Sequence, residues 1–571
     1  MLIAVRSSFA RSTRLSRLAP LIALAALAPA AAAQLEIASV PDAVAVTGDE
    51  FGSGVDIDGD RLVIGAPHDQ ASGQSEGAVY TFLRDRAGTP DDPSDDGWVF
   101  EAKLIGPAKE DTWSPPEFGS DVSLDGDRLL VGAPRAHTAV SDFPGAAYVF
   151  QFDGASWVLE DALEAADGEN GDEFGREVSL SGNHALIGAH ADDDLADRSG
   201  AAYVFHRAGG SWAFQAKLHG DTDVDEDAFF GWSVALDGDR ALVGAVNETS
   251  AAGSQAGAVY AFLRDDGGTH SPADDTWIPA GRLQPAGAIQ SQFFGTALAL
   301  DGARALIGAS GDSELGSGIG AAYVYEEASG LWNEGTKLLP ALPFDAELAF
   351  GTSVALRGDT ALVTSHAYDP LQLASDGKLH VFRLARGEWT AAGTASPSDG
   401  LISGSPMLFG DELQVAFDGE IAALGPRSSL PFALLKASMA WTYAIEQAPW
   451  SWASHELAAV GADSAPVLFG AGSLLAGEPV SLSVHGGAAS APAFLFVGGT
   501  AVNAPFHGGV LVPSPDRLTL LPLDTEGSVS IAGTWPAGIA TGLTLHLQAW
   551  IPDAAGPAGF TATNALAFTT P

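Results

Sequence analysis

From residue 51 onward the chain alternates short apolar runs with polar turns on a steady beat. One unit shows the pattern fully. Val122, Leu124 and the run Leu129-Leu130-Val131 flank Asp125-Gly126-Asp127-Arg128. A third apolar run, Ala146 to Phe150, then turns through Asp153-Gly154 into a fourth that starts at Trp157. Asp-Gly between apolar runs is a hairpin signal, because both residues accept the positive φ of a tight turn. The pattern therefore predicts four antiparallel strands per unit. The same turn recurs at Asp58-Gly59-Asp60 and Asp237-Gly238-Asp239, and in altered form at Ser181-Gly182-Asn183, Asp301-Gly302-Ala303 and Arg357-Gly358-Asp359. Tyr148 to Trp157, Tyr203 to Trp212, Tyr323 to Trp332 and His380 to Trp389 keep one spacing, which fixes the register of the last two strands. Units one and four carry insertions at that hairpin tip, between Tyr80 and Trp98 and between Tyr260 and Trp277.

Each unit opens on Phe-Gly, at Phe51, Phe118, Phe174, Phe230, Phe294, Phe350 and Phe409. A strand-and-turn unit of this length cannot bury its apolar faces alone and must stack on its copies. Seven four-stranded units predict an all-β fold closed into a seven-bladed β-propeller, a ring that leaves only short edges. Leu35-Glu36-Ile37 sits where it would supply the last strand of the seventh blade; Trp452 to Leu457 competes for that place. The ring is expected over residues 34–455. Beyond it the repeat stops, lysine disappears and Ala, Gly and Pro become dense. About six short apolar runs separated by Gly/Pro turns predict a small C-terminal β-sandwich over 456–571.

Residues 1–33 read as a signal peptide. Arg6, Arg11, Arg14 and Arg17 precede the apolar run Leu18 to Ala28, and Ala31-Ala32-Ala33 offers a cleavage site before Gln34. The mature chain is expected to be secreted, extracellular or on the cell surface. No later stretch is long and apolar enough for a membrane helix, so it is not expected to be an integral membrane protein. The net charge of −45 becomes −49 once those four arginines are removed. A surface so acidic excludes nucleic acid as a partner, tolerates divalent cations and keeps chains apart, so a monomer is expected. With no cysteine, disulfides, Cys-bound zinc and thiol nucleophiles are excluded.

The Phe-Gly opening combined with Gly65-Ala66-Pro67 and Gly132-Ala133-Pro134 resembles the FG-GAP repeat of integrin α-subunit propellers and of secreted bacterial proteins. The resemblance spans about residues 34–455. It implies a propeller that works in adhesion or recognition. The family's calcium-binding blades carry an Asp/Asn-rich loop in the first hairpin. Here that hairpin is the tight Asp-Gly-Asp turn, so the family's calcium site does not transfer to it.

Candidate chemistry lies where the repeat varies. Asp221, Asp223, Asp225 and Asp227 alternate in one acidic run whose oxygens fit Ca²⁺; the same run reads as a solvated acidic loop. Asp167, Glu169 and Asp172 form a second candidate metal set, with Asp49 in the place of Asp172 before unit one. Asp91-Asp92, Asp95-Asp96 and Asp274-Asp275 are further acidic pairs. Ca²⁺ is the ion these acidic sets would take if they bind one, and no cofactor is required. A Gly-x-Ser-x-Gly string centred on Ser75 lies in a polar loop between strands, away from the strand-to-helix turn a nucleophile elbow needs. Arg357-Gly358-Asp359 fills a hairpin slot. His190, His366 and His380 replace repeat residues and read as drift.

No catalytic residues are assigned. The expected function is that of a non-enzymatic binding or adhesion scaffold that recognises a protein or surface polysaccharide through the variable loops of the ring. An extracellular carbohydrate-active hydrolase or lyase is the first rival, because a propeller also hosts such chemistry. A calcium-stabilised structural protein of the envelope is the second.

Overall fold

The computed structural model describes residues 35–41, 49–70, 76–86, 96–107, 115–138, 141–220, 225–250, 253–269, 274–316, 318–340, 347–369, 374–385, 387–395, 411–428 and 439–444. In the C-terminal part it describes 453–455, 467–472, 479–485, 491–498, 501–506, 509–513, 517–523, 529–534, 544–552, 560–562 and 565–569. The signal-peptide expectation for 1–33 and the seventh Phe-Gly at Phe409 lie outside the described residues. Among the described residues the molecule is all-β, with no α-helix.

The first blade shows the unit. Its inner strand Val55–Asp58 pairs with Arg61–Ala66, then come Ala78–Asp85 and the outer strand Gly97–Ile105. Asp58 pairs directly with Arg61, so the turn is the predicted two-residue hairpin, with Gly59 at φ +57°. Blades two to five repeat this four-stranded order. The sixth adds a short strand, Glu347–Leu348, against Thr360–Asp369. The seventh consists of Asp411–Phe417, Ile421–Ser428, Met439–Ala444 and, outermost, Leu35–Pro41. The N-terminal strand thus takes the position for which two segments competed. The other contender, Ala453–His455, pairs with Ala565–Thr569 in the C-terminal part, just ahead of the boundary expected at 456.

Blade packing explains the repeated letters. Each opening Phe from Phe51 to Phe350 is buried. Phe51 meets Tyr80 edge-on at 5.3 Å, Phe174 meets Tyr203 at 5.2 Å, and Phe350 meets His380 at 5.0 Å. The two glycines of the motif form a single contact between neighbouring blades. A Cβ on Gly132 would stand 2.0 Å from the carbonyl oxygen of Gly175 in the next blade. The same approach closes the ring, where a Cβ on Gly425 would stand 2.3 Å from the oxygen of Gly52. At these points two backbones touch and no side chain fits.

The Asp of the hairpin turn does more than bend the chain. Asp58 accepts from the N–H of Gly126 at 2.7 Å, Asp237 from Gly302 at 2.6 Å and Asp301 from Gly358 at 2.6 Å. Asp125 accepts likewise from Gly182, and Ser181 from Gly238 at 3.0 Å. From blade one to blade six, each turn is therefore stapled to the next. Arg357-Gly358-Asp359 is one link of that chain, in keeping with its reading as a turn. At the rim, Trp157 donates to Glu101, Trp212 to Glu160, Trp277 to Gln215 and Trp98 to Thr442, each across a blade boundary. A bulge interrupts the pairing of the third strand with the outer strand in each of blades one to six, for example between Val149 and Phe150. Such bulges twist an exposed edge away from further pairing.

Among the described residues the C-terminal part has more strands than expected, in three sheets. The largest joins Ala453–His455, Ala565–Thr569, Thr544–Pro552, Pro492–Gly498 and Arg517–Pro522, with Phe560–Ala562 at its side. Val467–Gly472, Pro479–His485 and Val529–Thr534 form a second, and Ala501–Phe506 with Gly509–Pro513 a third. Trp550 is buried there and donates to Gln548 at 3.1 Å.

Candidate functional site

The inner strands of all seven blades line one axial cavity of about 560 Å³. Its two mouths differ. The hairpin face carries the stapled Asp-Gly turns. The opposite face, here the crossing face, carries the loops that join the second strand to the third and each blade to the next.

One turn is built alike at the start of the inner strands of blades one to six on the crossing face. The residue before Phe-Gly has positive φ in blades one to six: Glu50, Glu117, Glu173, Phe229, Phe293 and Ala349, at 53–57°. In these six blades, two places after the Phe stands a residue whose N–H closes back onto it, as from Ser53 to Glu50 and from Arg176 to Glu173. In four blades that residue is Ser53, Ser120, Thr296 or Thr352, and its hydroxyl donates to the same carbonyl. In blades three and four it is Arg176 and Trp232. The backbone bonds remain, at 3.1 Å in both, and the side chains are released to face the mouth of the cavity.

These two exceptions meet. The Arg176 guanidinium lies 5.8 Å from the centre of the Trp232 ring. Trp232 stacks on Phe229 at 6.0 Å and 24°, and His190 stands edge-on to both, at 5.2 and 5.5 Å. Glu173 lies 3.4 Å from Arg176 and 3.7 Å from His190. The Arg198 guanidinium lies over the Phe229 ring, 5.6 Å from its centre. The result is an apolar plate edged by charged groups. His190 belongs to it, although the sequence pattern read it as drift. Arg176, Trp232, Phe229 and Glu173 were missed altogether. The signal that would have found them is the break in the run of Ser and Thr two places after each Phe.

The same loops around blades one and two hold simpler pairs. His68 lies 3.3 Å from Glu50, whose carboxylate raises the imidazole pKa against the effect of burial. Glu117 lies 3.3 Å from Arg135; burial pushes its carboxyl up, and Arg135 opposes this.

Inside the cavity the walls are unlike. Two residues before the turn, blades one to three carry Asp56, Ser123 and Ser179, and blades four to seven carry Ala235, Ala299, Ala355 and Ala416. Asp56 accepts from the N–H of Leu124 at 2.7 Å, Ser123 from Leu180 at 3.0 Å and Ser179 from Leu236 at 3.0 Å. Burial pushes the Asp56 carboxyl up to about 7, against the N–H groups of Leu124 and Ile57.

The acidic candidates are placed as follows. Asp221 and Asp223 lie outside the described residues. Asp225 accepts from Thr249 N–H at 2.9 Å, and Asp227 pairs with Arg198 at 2.7 Å, so the two point to different partners. Asp167 and Asp192 flank the Lys217 ammonium at 3.0 and 2.8 Å, and Asp194 joins them; Tyr203 donates to both Asp167 and Asp192. Lys217 thus already provides a positive charge at the second candidate set. Burial raises the Asp167 carboxyl, but Lys217 outweighs it and holds the group below its ordinary value. Asp172 is buried and accepts from Glu169 N–H at 2.7 Å; burial, helped by Asp192, pushes it up to about 7. Gln292 stands in the Asp172 position of blade five and donates to Asp312. Among the described residues, no three His, Asp or Glu side chains are grouped to hold a metal. Asp49 is buried. Asp96 and Asp275 pair with Arg84 and Arg264, while Asp91, Asp92, Asp95 and Ser75 lie outside the described residues.

A family model described as the FG-GAP repeat matches residues 38–82, 98–150, 157–205, 212–262 and 277–325. Its frame starts in the outer strand of one blade and ends in the third strand of the next, so the first match begins in the strand that closes the ring. No curated protein sequence matches the chain. Among solved structures, the β-propeller domain of the Trilobed protease from Pyrococcus furiosus is 10% identical, with 70% of this chain and 94% of that chain covered and a TM-score of 0.37. The acylaminoacyl peptidase of Pyrococcus horikoshii is 10% identical, over 77% and 59%, with a TM-score of 0.33. A thermostable family-43 glycoside hydrolase is 13% identical, over 50% and 95%, with a TM-score of 0.27. Scores this low say nothing about what the present chain does.

Proposed function

From its make-up as an FG-GAP-repeat β-propeller protein, we propose that this chain is an exported, non-catalytic recognition scaffold whose crossing face binds a glycan, free or carried on a protein. One observation carries the reading. At the cavity mouth the repeated Ser/Thr gives way in two adjacent blades to Arg176 and Trp232, which form a plate with Phe229, His190 and Glu173. An indole face packs against the C–H face of a sugar ring, and charged groups at its edge take the hydroxyls. The rival enzyme would need carboxylates that face each other across the cavity. At mid-depth Asp56 stands among alanines, and at the hairpin mouth Asp58, Asp125, Asp237 and Asp418 are engaged by turn N–H groups, which favours binding over hydrolysis.

The test is surface-plasmon binding to a panel of immobilised purified polysaccharides, with product analysis of the same mixtures. The expected result is that at least one polysaccharide is held and none is shortened, and that Arg176→Ser and Trp232→Ser each weaken binding at least tenfold. Release of shorter chains would overturn the non-catalytic reading. Binding untouched by both substitutions would move the site elsewhere.

A further inference from the structure

The inner strands of a propeller have a free edge toward the axis. Leu300 and Ala305 are opposed next to the hydrogen-bonded pair Asp301 and Arg304, so the Leu300 N–H turns away from its own sheet. The equivalent groups are Leu124, Leu180 and Leu236 in blades two to four, and Leu356 and Phe417 in blades six and seven. In blades two to four the preceding blade supplies an acceptor: Asp56, Ser123 or Ser179. For Leu300, Leu356 and Phe417 the preceding blade supplies only the methyl groups of Ala235, Ala299 and Ala355. One wall of the cavity therefore offers carboxylate and hydroxyl oxygens, and the facing wall offers backbone donors set among methyl groups.

We propose that the axial cavity is a saccharide subsite, in which a neutral sugar unit accepts from the N–H groups of Leu300, Leu356 and Phe417 and donates to the Asp56, Ser123 and Ser179 side. This deepens the glycan reading above and rests on it. The chemistry selects the class of ligand. A sugar hydroxyl both donates and accepts, so it satisfies both walls at once. An anion would meet Asp56, Asp121 and Glu177, and a polyamine would meet the positive ends of the N–H dipoles. The methyls of Ala299 and Ala355 suit the C–H face of a pyranose. About 560 Å³ falls within the range of small-ligand sites and holds two or three sugar units. Trp232 at the mouth would stack the next unit of the same chain.

The repeat itself supplies the test. Ala299→Ser and Ala355→Ser copy blades two and three, and each new hydroxyl should accept the N–H of Leu356 or Phe417. The double variant is expected to keep the melting temperature of the parent. Calorimetric titration with maltotriose, cellotriose, mannotriose and chitotriose should show at least one binding to the full chain. The double variant should bind that sugar at least tenfold more weakly, and Ala355→Ser alone should lose part of the affinity. Trigalacturonate and spermidine should bind more weakly than the neutral sugar. Absence of binding by all four trisaccharides, equal binding by the Ser variants, or tighter binding of either charged probe would overturn the proposal. If a polysaccharide still needs Trp232 but ignores Ala299→Ser and Ala355→Ser, the crossing-face reading stands and the cavity reading falls.

Discussion

The two faces of the ring are made from the same repeat and have been treated in opposite ways. On the hairpin face the turn keeps its Gly, and Asp58, Asp125, Ser181, Asp237 and Asp301 all staple to the next turn. On the crossing face the backbone turn is kept, but the side chain two places after Phe changes from Ser or Thr to Arg176 and Trp232. A position whose side chain joins two blades is held by the fold. A position whose backbone alone closes the turn is free to acquire chemistry. The difference lies in which atoms do the holding.

The largest test of that contrast is at the blade contact. Gly132→Ala would force a Cβ against the Gly175 carbonyl, and the blades would have to part. A loss of ~3 kcal/mol is expected, as for a forced overpacking. The control is Gly126→Ala, whose Cβ would meet nothing within 4 Å and which has only its φ of +58° to oppose it; it should cost ~1 kcal/mol. Denaturant midpoints measure both. Equal losses would mean that the contact between motif glycines is not what holds adjacent blades.

The next test concerns a position where the repeat has drifted inside the core. His380 replaces the repeat Tyr, packs on Phe350 and bonds to Ser365 at 2.8 Å. Burial, with a small push from Lys378, lowers its pKa to about 3. The unfolded chain binds the proton at about 6.5, so between those values the unfolded state holds more protons than the folded one. Stability from this group is complete above pH 6.5 and declines as the pH falls toward 3. The loss at pH 5.5 is expected to be about 1 kcal/mol. His380→Gln should flatten that part of the acid limb in thermal melts taken from pH 7 to pH 4; an unchanged limb would show that His380 is not the group responsible.

The staples themselves are worth less each. Asp125→Ala leaves the Gly182 N–H near solvent at the turn, so ~1 kcal/mol is the expected cost. The same change at Asp237 and at Asp301 should give similar values, because each side chain bonds the same atom of the next turn. A wide spread would mean that the hairpin face is less uniform than its geometry.

What the sequence made legible was the strand-and-turn pattern within one repeat. The Asp-Gly turns, the Tyr-to-Trp register and the four-strand unit are short-range patterns, and each is found as read. What it concealed was contact between repeats. The bond from Asp125 to Gly182 joins residues one repeat apart, and the turn chemistry of Asp125 already accounted for its presence. Gly132 and Gly175 were legible as motif residues of two separate repeats, but not as the point where the two backbones meet. Asp225 and Asp227 looked like one ligand set because they are close in sequence, yet they face Thr249 and Arg198. Arg176 and Trp232 lie in neighbouring repeats, so only an aligned column of repeats would have set them side by side.

The smallest expected effect on stability is also the sharpest separation of the two faces. Arg176→Ser with Trp232→Ser would restore the repeat residue at both positions. The turn keeps its backbone bonds from residue 176 to Glu173 and from residue 232 to Phe229, and each new hydroxyl can add the bond made by Ser53 and Ser120. The aromatic stack and the Arg176–Glu173 pair are lost from a partly exposed site, where such pairs are worth little. The melting temperature should therefore stay within the range of an ordinary surface change, ~0.5 kcal/mol or less, while polysaccharide binding falls at least tenfold. A double variant that binds normally but melts early would reverse the assignment and make the plate a structural device of blades three and four.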